Sequence, residues 1–566
     1  MPTKGSALVL KVRAWASDVR PRRADVKRDL LAAMPSAIAA VPDGMANGVL
    51  AGVSPVQGLY ASLVGRIAGG LTTSTKMMVI TTTSAAALTA GSAIESVPED
   101  RRSDAVVWLT LIAGVAMVAA GAFGLSRYVR FVSQSVMLGF LTGLSANILF
   151  GQLPALTGAP SEGSFALTKA LNVILHPSRI HLPSLAAGLG AILLLAVLSR
   201  TRRSSIASLV ALLIPTTIVI VSGVSGVATV ADLGAIPQGL PLPQLPSLAA
   251  LNPSVITGAL AVAAIVVVQG AGVAEAAPNP DGTRSDSGRD FRAQGVANLA
   301  AGLFGGQPVG GSVGSTALNT SVGARSRWAA IWSGVGVALV LVVFSKAVGY
   351  VLLPTLAAFL IYAAIKSFKP GEIWSVAHAG TNSLVGLGVT LIATLLLPVA
   401  AAVGVGVGIS LVMQLNQEAV DLRVVELYRL PENQFGERPP PAQLSNDAVV
   451  VLDVYGSLFF AGAKTLQQFL PDVGHAHNAS VILRLRGRTT LGSTFLTVVS
   501  GYADSLQKNG GRLYLTGLDP AVLKVWEAES LTKRLTGVLL YPATDVVGAS
   551  THNALLDANA RRVQSE

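Results

Sequence analysis

The sequence predicts a polytopic α-helical membrane protein with a small α/β domain at its C-terminal end. Three observations carry this reading. Of 566 residues, 51% are hydrophobic and 13% charged, with the apolar residues gathered in long uncharged runs of the kind that cross bilayers. Two short stretches rich in Gly, Ala, Ser and Thr resemble each other across more than two hundred residues: Val79–Gly91 (VITTTSAAALTAG) and Gly310–Gly323 (GGSVGSTALNTSVG). Neither is long or greasy enough for an ordinary spanning helix. After Gln414 the composition turns polar and Pro-rich, and strand-like runs then alternate with helical ones.

Taken in order, residues 1–28 carry Lys11, Arg13, Arg20, Arg22, Arg23, Lys27 and Arg28, a basic cluster expected on the cytoplasmic side. No apolar core with a cleavage site stands near the start, so no cleaved signal peptide is expected. The transmembrane domain is expected over 29–415. Its first span begins near Leu30 and holds Pro35 and Pro42; each removes a backbone donor, which reads as a bent or broken helix. Further spans are expected near 48–71, 105–124, 131–153, 183–199 and 206–228, and in a second half near 253–272, 291–304, 329–349, 351–367, 382–397 and 399–415. With the two short stretches this makes about 14 segments in a 7+7 inverted repeat, because an odd-numbered repeat inserts its second copy upside down. Arg127 and Arg130, the cluster Arg200, Arg202 and Arg203, and Arg284, Arg289 and Arg292 fall on the inner side of that topology. The Pro-rich 237–246 segment, which has no Lys or Arg, falls outside. Residues 416–447, ending in Arg438-Pro439-Pro440-Pro441, read as a linker. Residues 448–566 read as a cytoplasmic α/β domain with strands near 448–454, 479–485, 511–516 and 537–541.

Composition also narrows the function. The absence of Cys removes disulfide and thiol chemistry. The net charge of +11 follows from basic inner loops and does not call for nucleic acid. Gly404, Gly406 and Gly408 alternate with valines in a late span and lack the strand before and the Lys-Ser/Thr after that a phosphate loop needs. The histidines have no metal-ligand spacing on a common helix. No enzyme, cofactor or metal site is expected.

Matched short segments in two halves of a membrane protein point to a substrate site. They read as half-helices whose N-termini meet near the midplane. A helix N-terminus offers unsatisfied N–H donors and about half a positive charge, so two of them can hold an anion without a side-chain cation. Thr81, Thr82, Thr83 and Ser84 in the first stretch, and Ser312, Gly314, Ser315 and Thr316 in the second, are the expected lining. The alternative is that small residues only allow close helix packing, with each hydroxyl bonded to its own helix. Asp43 stands out because an acid in an apolar span is costly and is by default a functional candidate; as Asp43-Gly44 it could instead cap a broken helix. Gln269 is neutral and can donate and accept but not titrate.

The stretches IAAVPDGMANGVLAGVSPVQGLYASLVG (38–65), FRAQGVANLAAGLFGGQPVGGS (291–312) and ALNTSVGARSR (317–327) resemble the sulfate permease (SulP) family of anion transporters and exchangers. VVVLDVYGSLFFAGA (449–463) and ILRLRGRTTLGSTFL (482–496) resemble a STAS domain. The resemblance implies a core and a gate domain, a homodimer, a substrate site in the core between the third and tenth helices, and rocking or elevator-like movement of core against gate. It also exposes departures. Thr81-Thr82 stand where Gly-Pro is common, Ser315 where an Arg is frequent, Gln269 where a carboxylate is usual, and Asp43 where a Gln is usual; Gly492-Ser493 replace an Asp-Ser pair in the STAS loop. Loss of the Arg implies weaker binding of divalent anions. Asp43 is then expected to take over the ionisable role vacant at Gln269.

The function expected is secondary active transport of a small anion (sulfate, bicarbonate, chloride or a dicarboxylate) across the cytoplasmic membrane, with a proton or sodium ion for coupling. The alternatives are a nucleobase-type permease on the same fold, a passive channel, or a membrane-anchored regulatory protein acting through the STAS domain.

Overall fold

The computed structural model describes residues 15–565 apart from 17, 128–132, 161, 164, 202–205, 234–238, 421, 432–433, 459, 529–530, 532–534 and 536. The basic positions Lys11, Arg13, Arg130, Arg202 and Arg203, and the start of the span expected from 131, lie outside the described residues. The chain forms two compact units, Met1–Ser410 and Leu411–Glu566.

The first unit begins with α1 (Arg23–Leu50) and α2 (Pro55–Thr72). Pro35 and Pro42 lie inside α1, yet the helix is continuous, so the broken first span is corrected. Continuity also removes the capping role for Asp43, which sits seven residues before the helix end with helix on both sides. Ser54 caps α2, its hydroxyl accepting from Val56 N at 3.4 Å with Pro55 in the first helical position. The two helices cross so closely that a Cβ on Gly58 would strike the Gly44 carbonyl, which excludes any larger residue there.

The short strand β1 (Ile80–Thr82) follows, then α3 (Ser84–Ile94), α4 (Arg102–Ala122), α5 (Gln134–Gly151), α6 (Leu153–Thr157), α7 (Ala166–Leu175), α8 (Leu182–Leu198) and α9 (Ala207–Val221). The second half runs through α10 (Pro253–Ala276), α11 (Ser287–Leu303), β2 (Val309–Gly311), α12 (Val313–Ser321), α13 (Trp328–Gly349), α14 (Leu353–Ser367), α15 (Pro370–His378), α16 (Thr381–Leu396) and α17 (Val399–Val420). Helices α4, α10 and the α5–α6 stretch are long and apolar enough to cross a membrane by length and composition. The helices sort into two packed groups. One joins α1–α4 with α10–α13, around Val106, Leu109, Val255, Val262 and Val266. The other joins α5, α8, α9, α14 and α16, around Leu156, Ala191, Ala357 and Ile361.

One end of this unit is fixed by buried carboxylates. Asp290 of α11 accepts from Thr73 Oγ1 (2.7 Å), Ser74 N (2.6 Å), Ser74 Oγ (2.9 Å) and Thr75 Oγ1 (2.6 Å), fixing the loop that leads into β1. Asp29 accepts from Arg325 N (2.8 Å) and Ser326 N (3.1 Å) beyond α12. Asp18 receives Arg289 at 2.8 Å and Arg327 at 2.9 Å, and those arginines in turn donate to the carbonyls of Thr72 and of Gly70 and Thr73. Burial pushes the Asp18 carboxyl up, but the Arg289 hydrogen bond with the charges of Arg327 and Lys76 outweighs it and holds the group below its ordinary value.

The second unit is a six-stranded sheet in the order β4-β3-β5-β6-β7-β8. Its elements are β3 (Arg423–Arg429), β4 (Phe435–Arg438), β5 (Val449–Tyr455), α18 (Phe460–Phe469), β6 (Ser480–Arg484), α19 (Ser493–Lys508), β7 (Arg512–Leu518), α20 (Pro520–Ala528), β8 (Val538–Pro542) and α21 (Ala549–Ser565). Strands β5 to β8 are parallel, as strand–helix alternation demands. Alternation sends Leu452, Leu483 and Leu515 to one face, against Phe495 and Trp526, and Val451, Ile482 and Tyr514 to the other, under Ala554 and Ala558 of α21. The linker expected over 416–447 is corrected here. Its VVELY run forms β3 and Phe435–Arg438 forms β4, an antiparallel hairpin that joins the sheet through β3 beside β5 and leaves β4 at the edge. Arg438 fastens the hairpin with two bonds to Glu426, at 2.8 and 2.6 Å.

Candidate functional site

Strands β1 and β2 pair antiparallel, with Ile80 opposite Gly311, Thr81 opposite Gly310 and Thr82 opposite Val309. Each strand runs directly into a half-helix, β1 into α3 and β2 into α12. Because the strands are antiparallel, the half-helices leave the crossing in opposite directions, and it is their N-terminal ends that flank it. Two further bonds tie the crossing: Ser312 N donates to Val79 O at 3.0 Å, and Val79 N to Thr316 Oγ1 at 3.0 Å.

The singled-out residues divide by what their side chains already do. Thr81 and Thr82 are buried and both meet Ser62 of α2, whose Oγ is 3.2 Å from Thr81 Oγ1 and 3.1 Å from Thr82 Oγ1. Thr83 caps α3, accepting from Ala86 N at 3.3 Å, and Ser84 is its half-buried first residue. Ser312 caps α12, accepting from Ser315 N at 3.2 Å. Thr316 is spent on Val79. Gly314 is exposed, with open space where a Cβ would stand, and its neighbour Val313 is also exposed. The N-terminal turn of α12 therefore has room beside it, whereas Ala85 in the first turn of α3 is buried in a cluster with Phe140, Leu144 and Ile265.

Asp43 is half-buried on α1. Its Oδ1 accepts from Asn47 Nδ2 at 3.0 Å, and the same Nδ2 lies 3.5 Å from Thr82 Oγ1, so Asp43 is linked to the crossing through one amide. Gln269 of α10 precedes Gly270, whose Cα lies against Gly311 of β2. The Gln269 Oε1 is buried without a hydrogen-bond partner beside a cleft of about 60 Å³ walled by Val136, Phe140, Ile265 and Thr390.

The sequence reading missed Arg66 of α2. Its side chain is 1% exposed. Nη1 donates to Ser333 Oγ of α13 at 3.0 Å and Nη2 to Ser315 Oγ at 3.4 Å. A guanidinium thus reaches Ser315, one of the expected lining residues, from a neighbouring helix. The signal was present as one arginine inside the apolar PVQGLYASLVGRIAGGLT helix, the kind of intramembrane charge that marks function.

Two strand-led half-helices with opposed polarity inside a helical membrane bundle define a transporter-type fold, and the attached sheet defines a STAS-type domain. The pattern of the sulfate permease family matches residues 26–386, more than half of the chain, and that of the STAS domain matches 441–545. The chain belongs to the sulfate permease family. It is 28% identical over 410 residues to a probable sulfate transporter of Mycobacterium tuberculosis, covering 69% of this chain and 71% of that one. In fold it is similar to the murine solute carrier 26 family member A9 anion transporter (TM-score 0.81, 18% identity, covering 99% of this chain and 95% of that one). It is also similar to the transmembrane domain of the cyanobacterial bicarbonate transporter BicA (TM-score 0.58, 18% identity, 70% and 98%).

Proposed function

We propose that this protein is a secondary active transporter of a small inorganic or carboxylate anion, working by alternating access and holding its anion at the N-terminal ends of α3 and α12. The observation that carries the reading is the β1–β2 crossing, which brings two helix N-termini to one place. Each contributes roughly 0.3–1 kcal/mol, up to about 2 when partly buried, which suits reversible binding. Thr81, Thr82, Thr83, Ser312 and Thr316 shape this cradle; Ser84, Gly314 and Ser315 border the anion. The unit works as a homodimer, with its N-terminus and STAS domain in the cytoplasm.

Asp43 is the coupling group. It stands on α1, one amide from Thr82, where a proton on its carboxyl lowers repulsion toward an entering anion. In proteoliposomes offered sulfate, bicarbonate, chloride and succinate, at least one anion should accumulate faster with an inward proton gradient. Asp43→Asn should abolish that pH dependence while anion exchange survives. Uptake of no anion by protein of native sedimentation would reject the transport reading, and wild-type pH dependence in Asp43→Asn would reject the coupling role.

A further inference from the structure

The Arg66 guanidinium is connected unevenly. Nη1, on the end of the group, is spent on Ser333 Oγ, which itself donates to Ala330 O at 2.7 Å. The side-on edge, made of Nε and Nη2, is different. Nε is buried and hydrogen-bonds to no protein atom. Nη2 makes one long bond, 3.4 Å, to Ser315 Oγ in the first turn of α12. With Nε unpaired and Nη2 bonded to Ser315, the edge is not occupied by a carboxylate. A buried N–H left without an acceptor is destabilising, the more so when charged, and this edge lies beside the half-helix end where Val313 and Gly314 are exposed.

We infer that Arg66 is the substrate's positive partner and that its Nε–Nη2 edge selects an oxyanion presenting two oxygens, such as sulfate, bicarbonate or a carboxylate, over a halide. A guanidinium edge carries two parallel N–H donors that match two oxygens of one anion, and a monatomic ion can use only part of that geometry. Ser315 positions the edge and yields its long bond to the incoming oxygen. The charge enters from α2, so the lining residue of α12 can be a serine. The inference rests on the anion site proposed above, whose own failure gives a different result.

Binding of sulfate and of chloride to the purified full-length protein is measured by calorimetry, with thermal unfolding as the check on folding. Arg66→Gln should weaken sulfate by roughly 10- to 100-fold and chloride far less. Arg66→Lys keeps the charge but not the two-donor edge, so chloride should hold while sulfate falls. The pair Arg66→Ser with Ser315→Arg returns a guanidinium to the same point from α12 and should recover much of the sulfate affinity. Folded Arg66→Gln with wild-type sulfate affinity would make Arg66 a purely structural bridge to α13 and overturn the inference. If Arg66→Gln does not fold, wild-type sulfate binding by Arg66→Lys overturns it equally, as does a folded swap variant that recovers nothing. A wild-type protein that binds none of sulfate, bicarbonate, succinate and chloride overturns the site itself.

Discussion

The two arms of the crossing share a backbone and differ in what fastens them. On the β1 arm the fastening is by hydroxyls: Thr81 and Thr82 converge on Ser62, with Asn47 behind. On the β2 arm it is by amides from α11. Asn298 grips Val309 twice, Nδ2 to O at 2.7 Å and N to Oδ1 at 3.0 Å, while Gln294 Oε1 accepts from Gly311 N at 3.0 Å. Charge follows the same division, since Arg66 reaches Ser315 at the head of α12. A β1 strand made of threonines brings its own polar groups; a β2 strand ending in glycines brings none and borrows them. The difference teaches that the α3 end is closed by its own side chains, whereas the α12 end is braced from neighbouring helices and keeps open space beside Gly314.

The largest expected effect comes from cutting the amide grip. Asn298→Ala strips partners from both main-chain groups of Val309 in a dry interior, at about 1–3 kcal/mol for each group. Thermal unfolding in detergent should show most of the native stability gone, and a melting temperature near wild type would mean the β2 arm does not depend on α11. A smaller loss is expected on the other arm. Ser62→Ala removes one hydroxyl shared by two threonines, which can turn toward each other, so unfolding should cost about 1 kcal/mol with anion affinity nearly kept. If Ser62→Ala instead abolishes binding while the fold survives, the ligand end has been assigned to the wrong arm. The smallest effect concerns the loop feeding β1, which Asp18 supports through Arg289 and Arg327. The folded Asp18 carboxyl lies below its ordinary value of 3.8, so its contribution is complete above that pH and fades as the pH falls below it. Melting temperature measured down through this window should decline, and Asp18→Asn should flatten part of that decline; an identical acid limb in the variant would show that Asp18 does not brace the loop.

Much of this was legible in the chain. The half-helices were visible because runs such as TTTSAAALT cannot span a bilayer and cannot be ordinary loops. The parallel strands were visible because β-branched runs alternate with amphipathic stretches at short spacing. The antiparallel hairpin was hidden: β3 and β4 flank a polar turn, and the three prolines after Arg438 dominate the local composition. Pro35 and Pro42 misled in the opposite direction, since proline costs one helical bond but packing on α2 and α13 keeps α1 whole. Arg66 was hidden for a geometric reason. Its importance lies in meeting Ser315 across 249 residues of chain, and only the folded arrangement of α2, α12 and α13 makes that meeting.

The β1–β2 crossing also sets a timetable for biogenesis. The bond from Val79 to Thr316 joins residues 237 apart in the chain. At about 5–20 residues per second of synthesis, the first strand waits roughly 10–50 s for its partner to emerge. During that interval its backbone groups have no ladder, and lipid cannot supply one. The first half of the protein must therefore stay beside the insertion machinery, or keep β1 sheltered against α2, until the second half arrives.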